Sequence, residues 1–280
     1  MKRTKRLAIT IIALSALGSD ALARPGLTSD SAYSAIAVRY LRLGLNSDYV
    51  ESIISQTFYF DLQFRLHRSS TLTFELPFAF SEWNDRTAMY PPHKVKEDVT
   101  GGIGLTFTHK LWAKPYYYRF GVRLPSALNV KTMARLVGEI SDLSKFGAFT
   151  HDYLILTGSF GYRPNRATGL TAHLEIAPAY WIDVVNKDID RDEAEAVIHN
   201  KVNLSYIYGL LDFQMGITGM EMLTDEKFLF NGSTVFVADL GCGIEVKNIR
   251  PGLAAHYPLT ENMRDILDFI LEFNLEIKIN

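Results

Sequence analysis

The chain has one cysteine, Cys242, in 280 residues, so no intrachain disulfide framework can form and a small stapled secreted domain is excluded. Net charge is nearly absent as well. The 29 basic and 31 acidic residues sum to −2, without the basic excess that a nucleic-acid partner favours. After the leader no apolar run reaches about 18 residues, which excludes a helical membrane protein. Cys242 sits at an apolar-phase position of a predicted strand, where it is expected to pack rather than react.

What is abundant is apolar and aromatic. The chain is 48% hydrophobic, with 14 Tyr and 17 Phe, and the apolar residues alternate. In Leu267–Ile279 they fall at Leu267, Phe269, Leu271, Phe273, Leu275, Ile277 and Ile279, with Ile270 as the one intruder between charged and polar positions. A strand turns successive side chains to opposite faces, so the segment has one apolar and one charged face. Many such segments behind a secretion signal read as a transmembrane barrel, apolar toward lipid and polar toward a lumen.

The leader carries Lys2, Arg3, Lys5 and Arg6, an apolar stretch over 7–17, and Ala21-Leu22-Ala23 as a cleavage site. The expectation is a signal peptide over 1–23 and a single barrel domain over 24–280. Export across the inner membrane of a Gram-negative bacterium and residence in its outer membrane follow. Outer-membrane lipid and lipopolysaccharide are then the expected surroundings.

Period-2 runs between turn signals predict an all-β, antiparallel transmembrane β-barrel of about twelve strands. They lie near 33–44, 51–66, 70–81, 98–112, 115–126, 149–163, 168–183, 198–207, 210–222, 233–246, 249–259 and 266–279. Connections alternate: short at 67–69, 113–114, 164–167, 208–209 and 247–248, longer at 82–97, 127–148, 184–197 and 223–232. Bacterial barrels keep short turns on the periplasmic side and long loops outside. Strands of this length suit a tilted bilayer crossing better than a soluble sandwich or lipid-carrying barrel. Aromatic residues cluster at both rims, with Trp83, Tyr180, Trp181 and Tyr257 near the long loops. Trp112, Tyr116, Tyr118, Tyr162 and Tyr208 flank the short turns, and two girdles are expected of them.

The polar phase then lines the lumen. It includes Asp61, Arg65, Glu75, Arg119, Arg123, His173, Glu175, Asp212, Asp239 and Glu272, with Gln63, Lys201, Asn203, Gln214, Glu245, Arg250, His256, Asp268 and Glu276 in the same phase. Two readings stand side by side: a salt-bridge network that fills and braces the wall, or a pore lining with a selectivity zone. In 127–148, Val130, Met133, Leu136, Val137, Ile140 and Leu143 recur at helical spacing. The expected arrangement is an amphipathic helix capping the rim; folded inward it would constrict the mouth.

Catalysis and metal binding find little support. Asp188, Asp190 and Asp192 copy the start of an EF-hand loop, but no glycine stands sixth and His199 replaces the twelfth-position glutamate. A solvated acidic loop is expected. His151 beside Thr150 and Asp152, and His173 near Glu175, make no hydrolase motif. Neither an enzyme, a cofactor nor a metal is expected.

Three segments give in succession a strand with Leu-Pro before a long loop, a glycine-rich strand, and an arginine-containing strand that ends in a proline. They read TLTFELPFAFSEW, DVTGGIGLTFTHKLW and YYYRFGVRLPSALN, with an echo in GLTAHLEIAPAYWID. They resemble the outer-membrane proteins of the meta-pathway of phenol degradation type, distant relatives of FadL-type channels, mainly over residues 51–126. That resemblance implies uptake of a small, often hydrophobic molecule. Passive passage of a small solute is the expected function, beside the alternative of a non-conducting structural or surface-interaction barrel acting through its loops.

Overall fold

The computed structural model describes residues 33–45, 50–85, 93–111, 114–126, 133–150, 153–164, 168–184, 194–224 and 233–279. The leader, Trp112, the acidic loop with its three aspartates, and His151 with Asp152 lie outside the described residues. The strands are β1 (Ser34–Leu45), β2 (Val50–His67), β3 (Ser70–Asp85), β4 (His93–Thr100), β5 (Gly104–Lys110) and β6 (Tyr116–Arg123). They continue as β7 (Tyr153–Tyr162), β8 (Gly169–Asp183), β9 (Ala194–Tyr208), β10 (Leu211–Met222), β11 (Thr234–Ile244), β12 (Ile249–Pro258) and β13 (Leu267–Ile279). Helix α1 (Met133–Ser141) and a 3-10 segment (Leu143–Phe149) lie between β6 and β7, and a single turn, α2 (Glu261–Arg264), precedes β13.

Every pairing is antiparallel, and β1 bonds to both β2 and β13, so the sheet closes. The wall has twelve strands, because β4 and β5 are two stretches of one. β3 pairs with β4 through Phe78–Asp85 and with β5 through Ser70–Glu75. The break falls at 101–103, where the chain bends toward the inside. Gly101 donates to Pro77 O at 2.9 Å and Gly102 to Ala148 O at 2.7 Å. A Cβ on Gly102 would stand 1.8 Å from Leu124 O, so only glycine permits this approach. Closure leaves no unpaired edge around most of the wall, which is the condition for a sheet in lipid.

The outward face is a belt of apolar side chains. Phe58, Phe74, Phe120, Phe160, Leu204, Leu240, Leu253, Leu271 and Phe273 are all exposed there, and Cys242 shares that face between Leu240 and Ile244. Tyr116 and Tyr208 stand exposed at the short-turn end, Tyr180 and Tyr257 at the other.

Four expectations are corrected. Trp181 is not a girdle residue: it is 1% exposed inside the barrel, stacked on Phe146 at 5.9 Å and 18°. The alternation of β13 slips at its start, opposite an irregularity between Gly44 and Leu45, so Leu267 turns inward and Asp268 outward. Of the predicted long loop 82–97, residues 82–85 and 93–97 continue the paired strands β3 and β4, with Glu82 bridged to Lys94 and, at 3.2 Å, to Lys96. Strand pairing past the apolar belt carries no period-2 hydrophobic signal, which is why these ends were invisible in the sequence. Finally, α1 does not cap the rim. It lies inside the barrel.

Candidate functional site

The lumen has two halves. At the long-connection end it is apolar, built from Leu41, Tyr59, Ala179, Trp181, Met220, Met222, Val235 and Leu267 on the wall around Ala134, Val137, Ile140, Phe146 and Phe149 of the inward segment. At the short-turn end it is polar. Segment 133–149 is thus a plug, and the sequence shows why it fits. Its helical apolar stripe can be buried in either of two places, on the rim or in the lumen, and only the wall decides. Here inward-facing Leu41, Val99, Val197 and Met220 make the outer lumen apolar, so that more area is removed from water inside than on the rim. Gly138 completes the fit, since a Cβ there would stand 2.5 Å from the Phe149 ring.

Polar ties fix the plug to the wall. Asp142 caps the 3-10 segment, accepting from Ser144 N at 2.9 Å, and its other oxygen accepts from Arg39 Nη1 at 2.7 Å. Lys145 pairs with Glu75, which also takes Arg123. Both cations flank the Tyr59 ring, Arg39 at 4.5 Å and Lys145 at 4.8 Å from its centre. Tyr59 in turn meets Ser141 Oγ at 3.2 Å. On the helix, Glu139 lies 2.8 Å from Arg135. Burial raises the Glu139 carboxyl above its ordinary range, and the neighbouring guanidinium only partly opposes this. A raised carboxyl favours the docked plug in its neutral form, so that contribution is present at low pH and fades as pH climbs through the raised value. Glu139→Gln removes that contribution, so the melting temperature of the variant relative to the parent protein should be higher at pH 8 than at pH 4, read from thermal melts of both proteins at both values.

The polar half gathers the predicted lumen residues into four groups. Glu75, Arg123 and Lys145 form the first. In the second, Arg119 lies 2.8 Å from Glu175, which also accepts from Tyr117, while the Tyr117 hydroxyl stands 2.7 Å from His173 Nε2. In the third, Asp212 takes Arg250 at 2.8 Å and Gln214 at 2.7 Å, and Arg250 reaches Glu245 at 3.3 Å. The fourth places His256 between Asp239 at 2.8 Å and Glu272 at 3.3 Å, with Lys201 3.7 Å from Asp239 and Arg39 4.0 Å from Glu272. Asp61 is buried beside these groups, across the ladder from Glu75. Arg65 stands apart from all four, exposed at the short-turn end of β2. Among the described residues no cluster of His, Cys, Asp and Glu has the arrangement to hold a metal ion.

Several partners escaped the sequence reading. Arg39 sits in a strand, SAIAVRYLRLGL, whose two faces are both largely apolar, so its inward phase carried no polar signature. Asp142 and Lys145 belong to a loop whose destination is tertiary. Tyr117 shares the phase of Arg119 and Arg123 and was legible on that ground.

Between the plug and strands β3 and β5 to β9 a cavity of about 120 Å3 remains, with Arg119, Arg123, Lys145, Glu75 and Glu175 on its wall. A smaller space of about 30 Å3 lies on the plug's other side, among Arg39, Asp142, Lys201, Asp239, His256 and Glu272.

No protein-family model matches this chain, and no curated protein matches it in sequence. Solved structures do match in shape. An outer membrane channel from Pseudomonas putida F1 superposes with a TM-score of 0.57 at 11% identity, over 90% of this chain and 98% of the other. The translocator domain of the autotransporter NalP from Neisseria meningitidis gives 0.53 at 11% identity, over 99% and 96%. The NanC porin gives 0.52 at 10%, over 87% and 100%. The fold is that of outer-membrane β-barrels.

Proposed function

We propose that this barrel resides in the outer membrane and passes a small solute through its lumen, with segment 133–149 as the constriction that controls passage. One observation carries the reading: the obstruction is a single loop segment tied by two ion pairs, Arg39–Asp142 and Lys145–Glu75, beside a polar cavity of about 120 Å3. A wall braced only for strength would not need a separable plug. The shape shared with the Pseudomonas putida channel supports the same reading as analogy. So does the resemblance of residues 51–126 to meta-pathway proteins, which points to a small solute with apolar character. The outward apolar belt faces lipid, with lipopolysaccharide at the outer leaflet, and the role is transport rather than catalysis.

A second reading has its own support. The lumen is crossed by ion pairs such as Arg250–Asp212, which brace a wall without conducting. Planar bilayers separate the two. The purified chain should migrate differently on SDS gels before and after boiling, and should give small discrete conductance steps. Folded protein that stays at background conductance, both intact and with the plug untied, would overturn the passage reading and favour the structural one.

A further inference from the structure

We propose that the short-turn rim of this barrel binds anionic phospholipid headgroups, of the phosphatidylglycerol kind, in the leaflet that faces the periplasm. The site presupposes the proposed residence in the outer membrane and names the lipid that its inner rim selects. Charge singles out this rim. Arg68 in the β2–β3 turn, Lys114 in the β5–β6 turn and Lys247 in the β11–β12 turn are all exposed. Their side chains make no ion pair or hydrogen bond among the described residues. Arg65 adds an exposed cation beside Arg68, and Arg163 a half-buried one in the β7–β8 turn. The carboxylates at this end are few and engaged. Glu245 takes Lys278 and Arg250, Asp212 takes Arg250 inside the wall, and buried Glu276 accepts from the Tyr33 hydroxyl at 2.6 Å. The exposed carboxylates among the described residues, Asp98, Glu261, Asp265 and Asp268, all lie in the opposite half, mixed with Lys94, Lys96 and Arg264.

These cations also sit at headgroup level. Exposed Leu66, Tyr116 and Val246 end the lipid-facing belt on this side. Arg68 follows Leu66 by two residues, Lys114 precedes Tyr116 by two, and Lys247 follows Val246 directly. Each charge therefore lies within about 7 Å of chain from the belt, inside the roughly 8 Å over which an anionic surface acts at physiological salt. Long cationic side chains beside an aliphatic and aromatic edge suit a headgroup layer. Their spread selects lipid over a protein partner. Of the five short turns, four carry a cation, and the fifth, β9–β10, has exposed Tyr208 and Leu210 instead. The turns follow one another around the closed wall. A shell of lipids meets all of them at once, whereas one acidic protein would meet a single sector.

The test is electron spin resonance on the full chain in phosphatidylcholine vesicles that carry a trace of spin-labelled phosphatidylglycerol or spin-labelled phosphatidylcholine. The motionally restricted fraction reads which lipid the barrel holds. One surface cation favours an anionic headgroup by about fivefold. Averaged with boundary positions that lack a cation, the preference for phosphatidylglycerol should be roughly twofold to threefold. Arg68→Gln, Lys114→Gln and Lys247→Gln combined should remove at least half of that excess, and about 0.5 M salt should do the same to the parent protein. The three side chains hold no partner, so the triple variant should fold as the parent does, read from gel migration before and after boiling. Arg68→Lys keeps the charge and should keep the preference. Equal restriction of the two lipids, or a folded triple variant with unchanged preference, would overturn the proposal and leave the basic rim to an acidic protein. No restricted component with either lipid would place the chain outside the bilayer, and would remove the outer-membrane reading together with the site.

Discussion

On the proposed passage reading, untying the plug with Asp142→Asn and Lys145→Gln combined should raise the open probability of the barrel steeply. Asp142 and Lys145 make the two ion pairs between segment 133–149 and the wall, beside the weaker bond from Ala134 N to the Glu97 carboxylate at 3.3 Å, which stays. Each such bond is worth about 1.5–3 kcal/mol, so losing both should shift the docked-to-undocked ratio by roughly a hundredfold to ten-thousandfold. The substitutions strand no partner. Arg39 keeps Glu272 at 4.0 Å, and Glu75 keeps Arg123. The apolar face of the plug still resists release, since Ala134, Val137, Ile140 and Phe149 are at most 1% exposed, and this opposes the shift without cancelling it. Open probability in planar bilayers, beside thermal melts of the same protein, reads the result. A double variant that loses stability while its conductance stays at background would make the segment a permanent core rather than a gate.

Assembly should be the casualty of a charge on the belt. Leu271 lies midway along β13, 49% exposed on the outward face between Phe269 and Phe273. An arginine at mid-bilayer on that face costs about 2–4 kcal/mol, enough to leave much of a Leu271→Arg protein unfolded on an unboiled gel. Its neighbour offers the contrast. Glu272 points inward, 3% exposed, beside His256 and Arg39. Glu272→Gln keeps an acceptor oxygen there and leaves Arg39 with Asp142 and His256 with Asp239, so it should assemble with at most a modest loss of melting temperature. If the glutamine variant failed to assemble while the arginine variant folded, inside and outside would be reversed.

Particular elements show what could be read early. β13 displayed its two faces because its lumen side is charged at Glu272 and Glu276 while its lipid side is apolar from Phe269 to Ile279. β1 hid Arg39 because both its faces are apolar: one meets lipid and the other, through Leu41 and Leu43, meets the plug. Period-2 patterning reports polarity, and polarity distinguishes the faces only where the lumen is wet. Trp181 was misplaced for that reason, as an aromatic near a strand end that points into an apolar lumen rather than to a headgroup layer. The register slip at Leu267 was equally silent, because a one-residue irregularity exchanges faces without altering composition.

The sequence by itself determined the class of fold, the all-β antiparallel barrel, the alternation of short and long connections, and most inward positions of the polar half. These depend on neighbours along the chain, where a strict two-residue period has only one way to satisfy lipid on one side. Only the tertiary structure decided where segment 133–149 goes, which carboxylate each lumen cation meets, and that a cavity of about 120 Å3 survives beside the plug. Those outcomes depend on strands far apart in sequence, such as β3 and β6 bringing Glu75 to Arg123 through different elements of the wall. Closing the sheet sets such distances, and an amphipathic helix alone cannot say which apolar surface will bury it.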